Sequence, residues 1–413
     1  MIEKAKHWVR QFYQVPWCVP QWGWAEAVAT ARHLATGHVN SGSDAQRLEK
    51  AILEYLGLPY VLLVNRGRTA IELALLALGL KPGDEVVLPS YVCRSVLDAV
   101  LRVGCAPAFA DVGRELNVSP ETVQAALTPR TRAVIVPHLF GRAAPIDRIE
   151  AVLQTTGIAL IDDAAQSLGA QCGGRLVGTF GACGIVSCGP GKALAGSGGG
   201  ALVTRDRTLF QRARRAFLGP ERATAVVRRV LGFWLWRRFR RFTLPLQALL
   251  ERVHPGTRDG PGDLAADVSD LEAAIALEQL RTLESRVTVR RRNAMRLLEA
   301  LGSLGRCSIT DVSPGGVALK LVLVLPPAAP SVAALVERGA EAGVECQGGY
   351  RPCHHGVPEI SARVPNTDRV WQRVLCIPLE TPLRRPEALI RAMRLAVAGI
   401  IPETAPPCRV VTP

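Results

Sequence analysis

The hydrophobic positions of this chain change period several times, and each change marks a boundary. Between residues 43 and 56 the apolar side chains of Leu48, Ala51, Ile52, Tyr55 and Leu56 fall on one helical face. A short apolar run at 60–64 reads as a strand. It passes through Asn65-Arg66-Gly67-Arg68-Thr69 into a helix predicted over 70–80, closed by Pro82-Gly83. Six continuous apolar runs follow, at 86–89, 106–110, 133–137, 158–162, 184–188 and 201–204. Helical stretches at 94–103, 120–126 and 146–156 lie between them. Buried strands alternating with helices predict an α/β domain on a mainly parallel sheet, covered on both faces. Functional residues of such a domain gather in loops beyond the strand ends.

The alternation stops between about 218 and 262, where residues 226–242 read VVRRVLGFWLWRRFRRF before a Pro/Gly-rich stretch. A long helix is predicted from near Ser269 to Leu301, through Leu271, Ala274, Ile275, Leu277, Leu280 and Leu283. Strands at 317–325 and 373–377, with one helix between them and another at 386–400, suit a smaller α+β domain. The predicted division is therefore 1–264, an aromatic-rich lead-in plus the large domain with its 218–262 insertion, and 265–413, the small domain.

Composition narrows the class. A chain of 413 residues with 48% hydrophobic and 21% charged residues is an ordinary globular protein of two-domain size. The net charge is +14, yet only six of the 50 basic residues are Lys. An Arg-biased, anion-attracting surface accounts for this, with a localised basic patch as the alternative. The 11 Cys are scattered and form no CxxC pair, so zinc ribbons and dithiol redox motifs are excluded and no metal site is expected. The N-terminus lacks an uninterrupted apolar core, and no stretch of 18 apolar residues is free of charge. A cytoplasmic chain without a secretory signal or membrane span is expected.

Four segments carry candidate chemistry. In Ser187-Cys188-Gly189-Pro190-Gly191-Lys192 a rare Lys stands among glycines past a buried strand. Glycines let backbone approach a ligand, and a partly desolvated Lys can form a Schiff base. A nucleotide P-loop is excluded, since Val186 stands where its first Gly belongs and Ala193 where Ser or Thr must follow. In Ile161-Asp162-Asp163-Ala164-Ala165-Gln166 two carboxylates close an apolar strand. Successive strand residues face opposite ways, so one can bind while the other caps a helix. The turn at Gly67 and Arg68 offers the free N–H groups of a helix start to a phosphate. His138 ends a further strand.

The succession of these segments resembles the DegT/DnrJ/StrS family of sugar aminotransferases, fold-type I pyridoxal-phosphate enzymes. The similarity runs over about 40–217 and 265–400, carried by NRGRTAIELALLALGLKPGDEVVLPSYV, TPRTRAVIVPHLFGRAAPID, IDDAAQSLGAQCGGRLVGTFG and SCGPGKALAGSGGGALVT. It implies a large α/β/α domain, a small α+β domain and active sites at a homodimer interface. It implies that Lys192 holds pyridoxal 5'-phosphate and moves protons, that Asp163 pairs with the ring nitrogen, and that Gln166 lies against the ring or its hydroxyl. Ser187, Gly67 and Arg68 would hold the phosphate. His138 is the second catalytic candidate, as a support of the strand-end site. Tyr91 and Cys93 line the cofactor pocket, although Cys93 stands where the family has a stacking aromatic. The family's partner-reaching Asn segment reads Ala265-Ala266-Asp267-Val268 here, and Gly198 replaces an acidic residue of the Lys loop.

The implied reaction moves an amino group from glutamate to a keto sugar, in a nucleotide-linked form. Related dehydration or aminobenzoate-forming chemistry, and a non-catalytic paralogue acting as scaffold or sensor, are the alternatives. Dehydratases of the family carry His in place of the Lys, which favours transamination. In the insertion Phe233, Trp234, Trp236, Phe239 and Phe242 alternate with Arg237, Arg238, Arg240 and Arg241. Such a helix could touch an anionic membrane surface through 226–242, or form a packing arm over a partner subunit. No nucleic-acid-binding fold is visible, so no nucleic-acid partner is expected.

Overall fold

The computed structural model describes residues 22–216, 219–235 and 266–379, apart from 303–304, 328, 342–343, 358 and 361. The predicted helix at 386–400 and the Arg-rich part of the insertion from Trp236 onward lie outside the described residues.

Two helices lead in. α1 (Trp24–Thr36) was not separated from the lead-in by periodicity, and α2 (Asp44–Leu56) buries Leu48, Ile52 and Leu56. β1 (Tyr60–Val64) follows, then α3 (Gly67–Ala77), β2 (Glu85–Pro89), α4 (Arg94–Arg102), β3 (Ala106–Ala110), α5 (Pro120–Ala126) and β4 (Thr131–Pro137). Next come α6 (Ile146–Leu153), β5 (Ala159–Asp163), a hairpin of β6 (Gln171–Cys172) and β7 (Arg175–Leu176), β8 (Cys183–Ser187) and β9 (Gly200–Thr204). Ser119 caps α5, and Asp206 caps α7 (Arg207–Arg215) by accepting from Thr208 and Leu209 N–H. Helix α3 begins three residues earlier than its apolar pattern indicates. Gly67-Arg68-Thr69, read as a turn, is its first turn.

Seven strands form one sheet in the order β1-β9-β8-β5-β4-β2-β3. The pairs β3/β2, β2/β4, β4/β5 and β5/β8 are parallel, and β9 runs antiparallel to both β8 and β1. Almost every residue of these strands is buried, as expected for a sheet covered on both faces. The parallel strands deliver Ser90, His138, Asp163 and Ser187 to one edge. That edge is where open α/β sheets bind ligands.

Residues 223–235 form helix α8. Val226 and Val230 are buried against Trp22, Val39, Leu271 and Ile275, with Phe233 and Trp234 packed on the same cluster. The described part of the insertion thus packs one face on its own chain. The predicted long helix is two. α9 (Asp270–Arg281), capped by Ser269, and α10 (Leu283–Leu301) meet at Thr282, whose ψ of 5° breaks the helical run. Ala273, Ala276, Leu277, Leu280, Leu283 and Val287 share a core with Leu48 and Val61, while Ala294, Leu297 and Leu301 belong to another. α10 therefore contributes to two cores.

The second core surrounds β10 (Lys320–Val324), α11 (Val332–Glu341), β11 (Gln347–Gly348) and β12 (Val374–Pro378), with the short α12 (Pro365–Val370) ahead of β12. Strand alternation splits this small sheet between two environments. Leu321, Leu323, Leu375 and Ile377 face α10 and α11, whereas Val322, Val374 and Cys376 enter the main core with Tyr91 and Phe140. β10 is shorter than its apolar run because Ala318 has φ 47° and because Val317 and Leu319 donate to the carbonyls of Gly141 and Phe140.

Candidate active site

The end of β5 sorts two adjacent carboxylates into different jobs. Asp162 is fully buried and fully engaged. Its Oδ1 accepts from His138 Nε2 at 2.7 Å, and its Oδ2 accepts from the N–H groups of Gly178 (2.6 Å) and Phe180 (3.0 Å). His138 Nδ1 accepts from Ala144 N–H at 2.9 Å, which leaves Nε2 as the protonated nitrogen and the ring neutral. Both ring nitrogens are committed within the fold and the residue is 0% exposed. His138 therefore has no nitrogen to offer a substrate. Its geometry is that of a residue that positions the strand ends, assisted by Ser167 Oγ donating to its carbonyl.

Asp163 faces the other way. It accepts one hydrogen bond, from Ala165 N–H at 3.0 Å. Burial pushes its pKa above the usual carboxylate range, opposed by the Ala165 N–H and by the ammonium of Lys192. A buried carboxylate with so few donors is suited to a further cationic N–H partner. Lys192 follows Gly191, whose φ of 73° places the turn in the left-handed region where a side chain is disfavoured. Lys192 itself is half-buried, its N–H donating to Gly189 O.

Gln166 completes this side. Its Oε1 accepts from Phe140 N–H at 3.3 Å, and its amide donates to the hydroxyl of Tyr350. Phe140 has φ 58°, and its ring stacks on that of Tyr350 with centroids 5.6 Å apart and planes 12° from parallel. Burial, with the thiols of Cys93 and Cys376 nearby, raises the Tyr350 hydroxyl well above the usual phenol range. Tyr350 and Phe140 were missed from sequence. The available signals were Phe140 two residues after His138, and a Tyr behind paired glycines in Gly348-Gly349-Tyr350.

A second group lies at the end of β8. The N-cap residue Arg66 makes no side-chain capping bond, and the first turn of α3 lies against Ser187, where the N–H groups of a helix start suit an anion. A Cβ on Gly67 would come within 2.9 Å of Ser187 Cβ and 3.1 Å of its Oγ, and one on Gly200 within 2.7 Å of Gly67 N. The three residues fit only because two are glycine. The result is a narrow cradle of backbone N–H and a hydroxyl, the donor set that a phosphate requires. The carboxylate, the lysine, the amide and this cradle together match the functional parts of pyridoxal phosphate: ring nitrogen, aldehyde, ring hydroxyl and phosphate.

Tyr91 and Cys93, both close to Tyr350, differ in burial. Tyr91 is 0% exposed, turned into the core with its hydroxyl accepting from Tyr350 N–H at 3.2 Å. Gly349 gives it room, because a Cβ there would sit 1.9 Å from that hydroxyl. Cys93 precedes α4, partly exposed, its Sγ 3.1 Å from Ser95 Oγ. Arg68 lies on the cradle helix, where its charge acts on Glu72. No helix among the described residues is long and apolar enough to cross a membrane.

Comparison with known proteins shows the family of the chain. A profile of the DegT/DnrJ/EryC1/StrS aminotransferase family matches residues 24–391. The L-glutamine:2-deoxy-scyllo-inosose aminotransferase of Streptomyces fradiae is 34% identical over 283 residues, a match spanning 68% of this chain and 62% of that protein. The aminotransferase TlmJ from Streptoalloteichus hindustanus superposes with a TM-score of 0.76 at 26% identity, covering 93% of this chain and 98% of that one. The GDP-4-keto-6-deoxy-D-mannose-3-dehydratase of E. coli, solved with hydrated PLP, shares the fold at 20% identity with a TM-score of 0.73, covering 92% and 98%. The fold is that of fold-type I pyridoxal-phosphate enzymes, and the chain belongs to the DegT/DnrJ/EryC1/StrS aminotransferase family.

Proposed function

We propose that this protein is a pyridoxal-phosphate-dependent aminotransferase that carries an amino group from a glutamate-type donor to a keto sugar. The observation that carries the reading is the convergence of Lys192, the under-satisfied Asp163 and the Ser187–Gly67 cradle at one sheet edge. Pyridoxal phosphate, when bound, supplies the electron sink. Asp163 would hold a proton on the ring nitrogen, Gln166 would orient the ring oxygen, and the α3 N-terminus with Ser187 would anchor the phosphate. Lys192 would attach the cofactor and, once displaced by an amine, take and return the proton at the reacting carbon. His138 acts at one remove, by fixing Asp162 and the strand ends.

The donor and acceptor follow by analogy with the S. fradiae relative, whose name pairs L-glutamine with 2-deoxy-scyllo-inosose. Glutamine therefore stands beside the expected glutamate as donor. A free carbocyclic ketone stands beside the nucleotide-linked keto sugar as acceptor. A homodimer is supported by apolar residues left exposed on adjoining helices, Trp24 and Val28 on α1 and Leu231 and Leu235 on α8. A cytoplasmic location rests on the free thiols. Peripheral membrane contact through 226–242 would fall to the Arg-rich residues outside the described part, and equal vesicle binding by a 236–242 deletion would dismiss it.

The deciding measurement is the absorption spectrum of purified protein titrated with pyridoxal phosphate, before and after borohydride. A visible band that reduction traps on Lys192, followed by amino transfer from glutamate or glutamine, is the expected result. A band without turnover on any donor would favour the non-catalytic paralogue. No band at saturating cofactor would overturn the proposal.

A further inference from the structure

We propose that helix α8 and Trp22 form a clamp that positions the Lys192 loop, with the Arg229–Glu272 pair at its centre. The inference rests on the aminotransferase reading and assigns a task to the part of the insertion that packs on its own chain.

Glu272 lies on the first turn of α9 and is 1% exposed. A carboxylate so deep needs cations and donors around it. It has four. Arg229 of α8 donates from Nε to Oε1 and from Nη2 to Oε2, each at 2.9 Å. Ser269 Oγ donates to Oε2 at 2.9 Å, and Ser197 Oγ, on the Lys loop itself, donates to Oε1 at 3.1 Å. The remaining face of the Arg229 guanidinium holds Glu221 at 2.8 and 2.9 Å. The insertion thus reaches the Lys loop through one buried carboxylate.

The fit against the loop is close. A Cβ on Gly198 would lie 2.5 Å from Glu272 Oε1 and 3.2 Å from Arg229 Nε. The carboxylate occupies the space that a side chain at 198 would take. A second fastening stands three residues away, where Trp22 Nε1 donates to Ala195 O at 2.6 Å. Trp22 is held in turn by the rings of Phe233 and Trp234 on α8, with centroids 4.6 and 5.1 Å away. The far end of the loop joins the phosphate cradle, because Gly199 N–H donates to Asn65 O at 2.7 Å. The clamped residues therefore span the interval between Lys192 and the Gly67 turn. Freeing them would disturb both cofactor contacts without removing either.

Arg229 and Glu272 act through the loop, so the test reads the loop as well as the cofactor. The variants are Arg229→Met, Arg229→Lys, Glu272→Ala and the double Gly198→Glu/Glu272→Ala. Each is checked for fold by circular dichroism. Amide hydrogen exchange at 193–199 is measured without cofactor, and the Kd for pyridoxal phosphate by absorbance. We expect Arg229→Met to speed exchange at 193–199 and weaken cofactor binding about tenfold, the order of a lost buried charge-assisted contact. Arg229→Lys should recover part of this. The double variant, which supplies a carboxylate from the loop side, should bind cofactor better than Glu272→Ala alone. Folded Arg229→Met and Glu272→Ala proteins with wild-type exchange and Kd would overturn the clamp, as would a double variant no better than Glu272→Ala. If Glu272→Ala does not fold, the partly exposed Arg229 carries the test. If wild type binds no cofactor, the aminotransferase reading fails, and exchange at 193–199 still decides the clamp.

Discussion

The floor of the site and the loop that covers it are built on opposite plans. The floor is made by strand ends. Asp162, Asp163, His138 and Ser187 reach the same edge because parallel strands end there, and their contacts run mostly to neighbouring strands and to the turns that follow them. The Lys192 loop borrows its support from afar: Trp22 ahead of α1, Arg229 in the insertion and Glu272 in α9. Sheet topology alone orders the floor. Order in the loop depends on elements that share no strand with it, so it can be tuned or lost without disturbing the sheet.

The largest effect should come from Lys192→Ala. Turnover is expected to fall about 10²–10⁴-fold, the usual contribution of a positioned acid–base group. Reduction with borohydride should then leave no cofactor attached, as mass spectrometry would show. The floor should be intact, with an unchanged thermal midpoint.

The two carboxylates of β5 sharpen the contrast next. Asp162→Asn breaks a network of three donors and should cost about 2–3 kcal/mol of stability in a denaturant titration, the range for hydrogen bonds to a charged group. Asp163→Asn should leave the cofactor-free fold at least as stable as wild type, yet weaken cofactor binding at least about tenfold, since one lost ionic contact of about 1.4 kcal/mol suffices for that. Equal loss of stability in both variants would break the distinction. Tyr350→Phe ranks lower. Losing its hydrogen bond with Gln166 should raise the acceptor KM about 3–10-fold, from about 0.5–1.5 kcal/mol, while the cofactor band persists.

The smallest effect is one of pH. Because Asp163 has a raised pKa in the fold, the folded state holds its proton more tightly than the unfolded chain does. Stability of the cofactor-free protein is therefore fullest below the unfolded carboxylate value and declines as pH rises through the folded value. Asp163→Asn should lessen that decline in thermal melts across acidic pH, and bound cofactor should do the same. A slope identical in wild type and variant would show that Asp163 contributes nothing to it.

The contrast also explains what sequence could reveal. Continuous apolar runs marked the central strands, because a doubly covered sheet permits little else, and Lys192, Asp163 and Ser187 stood out as polar residues at their ends. Alternation separates Asp162 from Asp163 without saying which faces the site, and only the family resemblance pointed to Asp163. His138 stood out, but its role turns on Ala144 N–H occupying Nδ1, a contact no motif displays. The Thr282 break was hidden because the apolar spacing continues across it. Tyr350, Arg229 and Trp22 reach the site or its loop across long sequence separations, and periodicity carries no information about such meetings.

The small sheet has a consequence for inheritance. Its β10–β12 ladder gives Val322, Val374 and Cys376 to the main core and Leu321, Leu323, Leu375 and Ile377 to its own. A segment that shares its hydrophobic residues in this way is a poor candidate for exchange between genes, because a foreign version would arrive with one face mismatched to the core it must join. Change in this lineage should therefore come as substitutions at exposed positions such as Arg351, with the segment as a whole passed on alongside the core it completes.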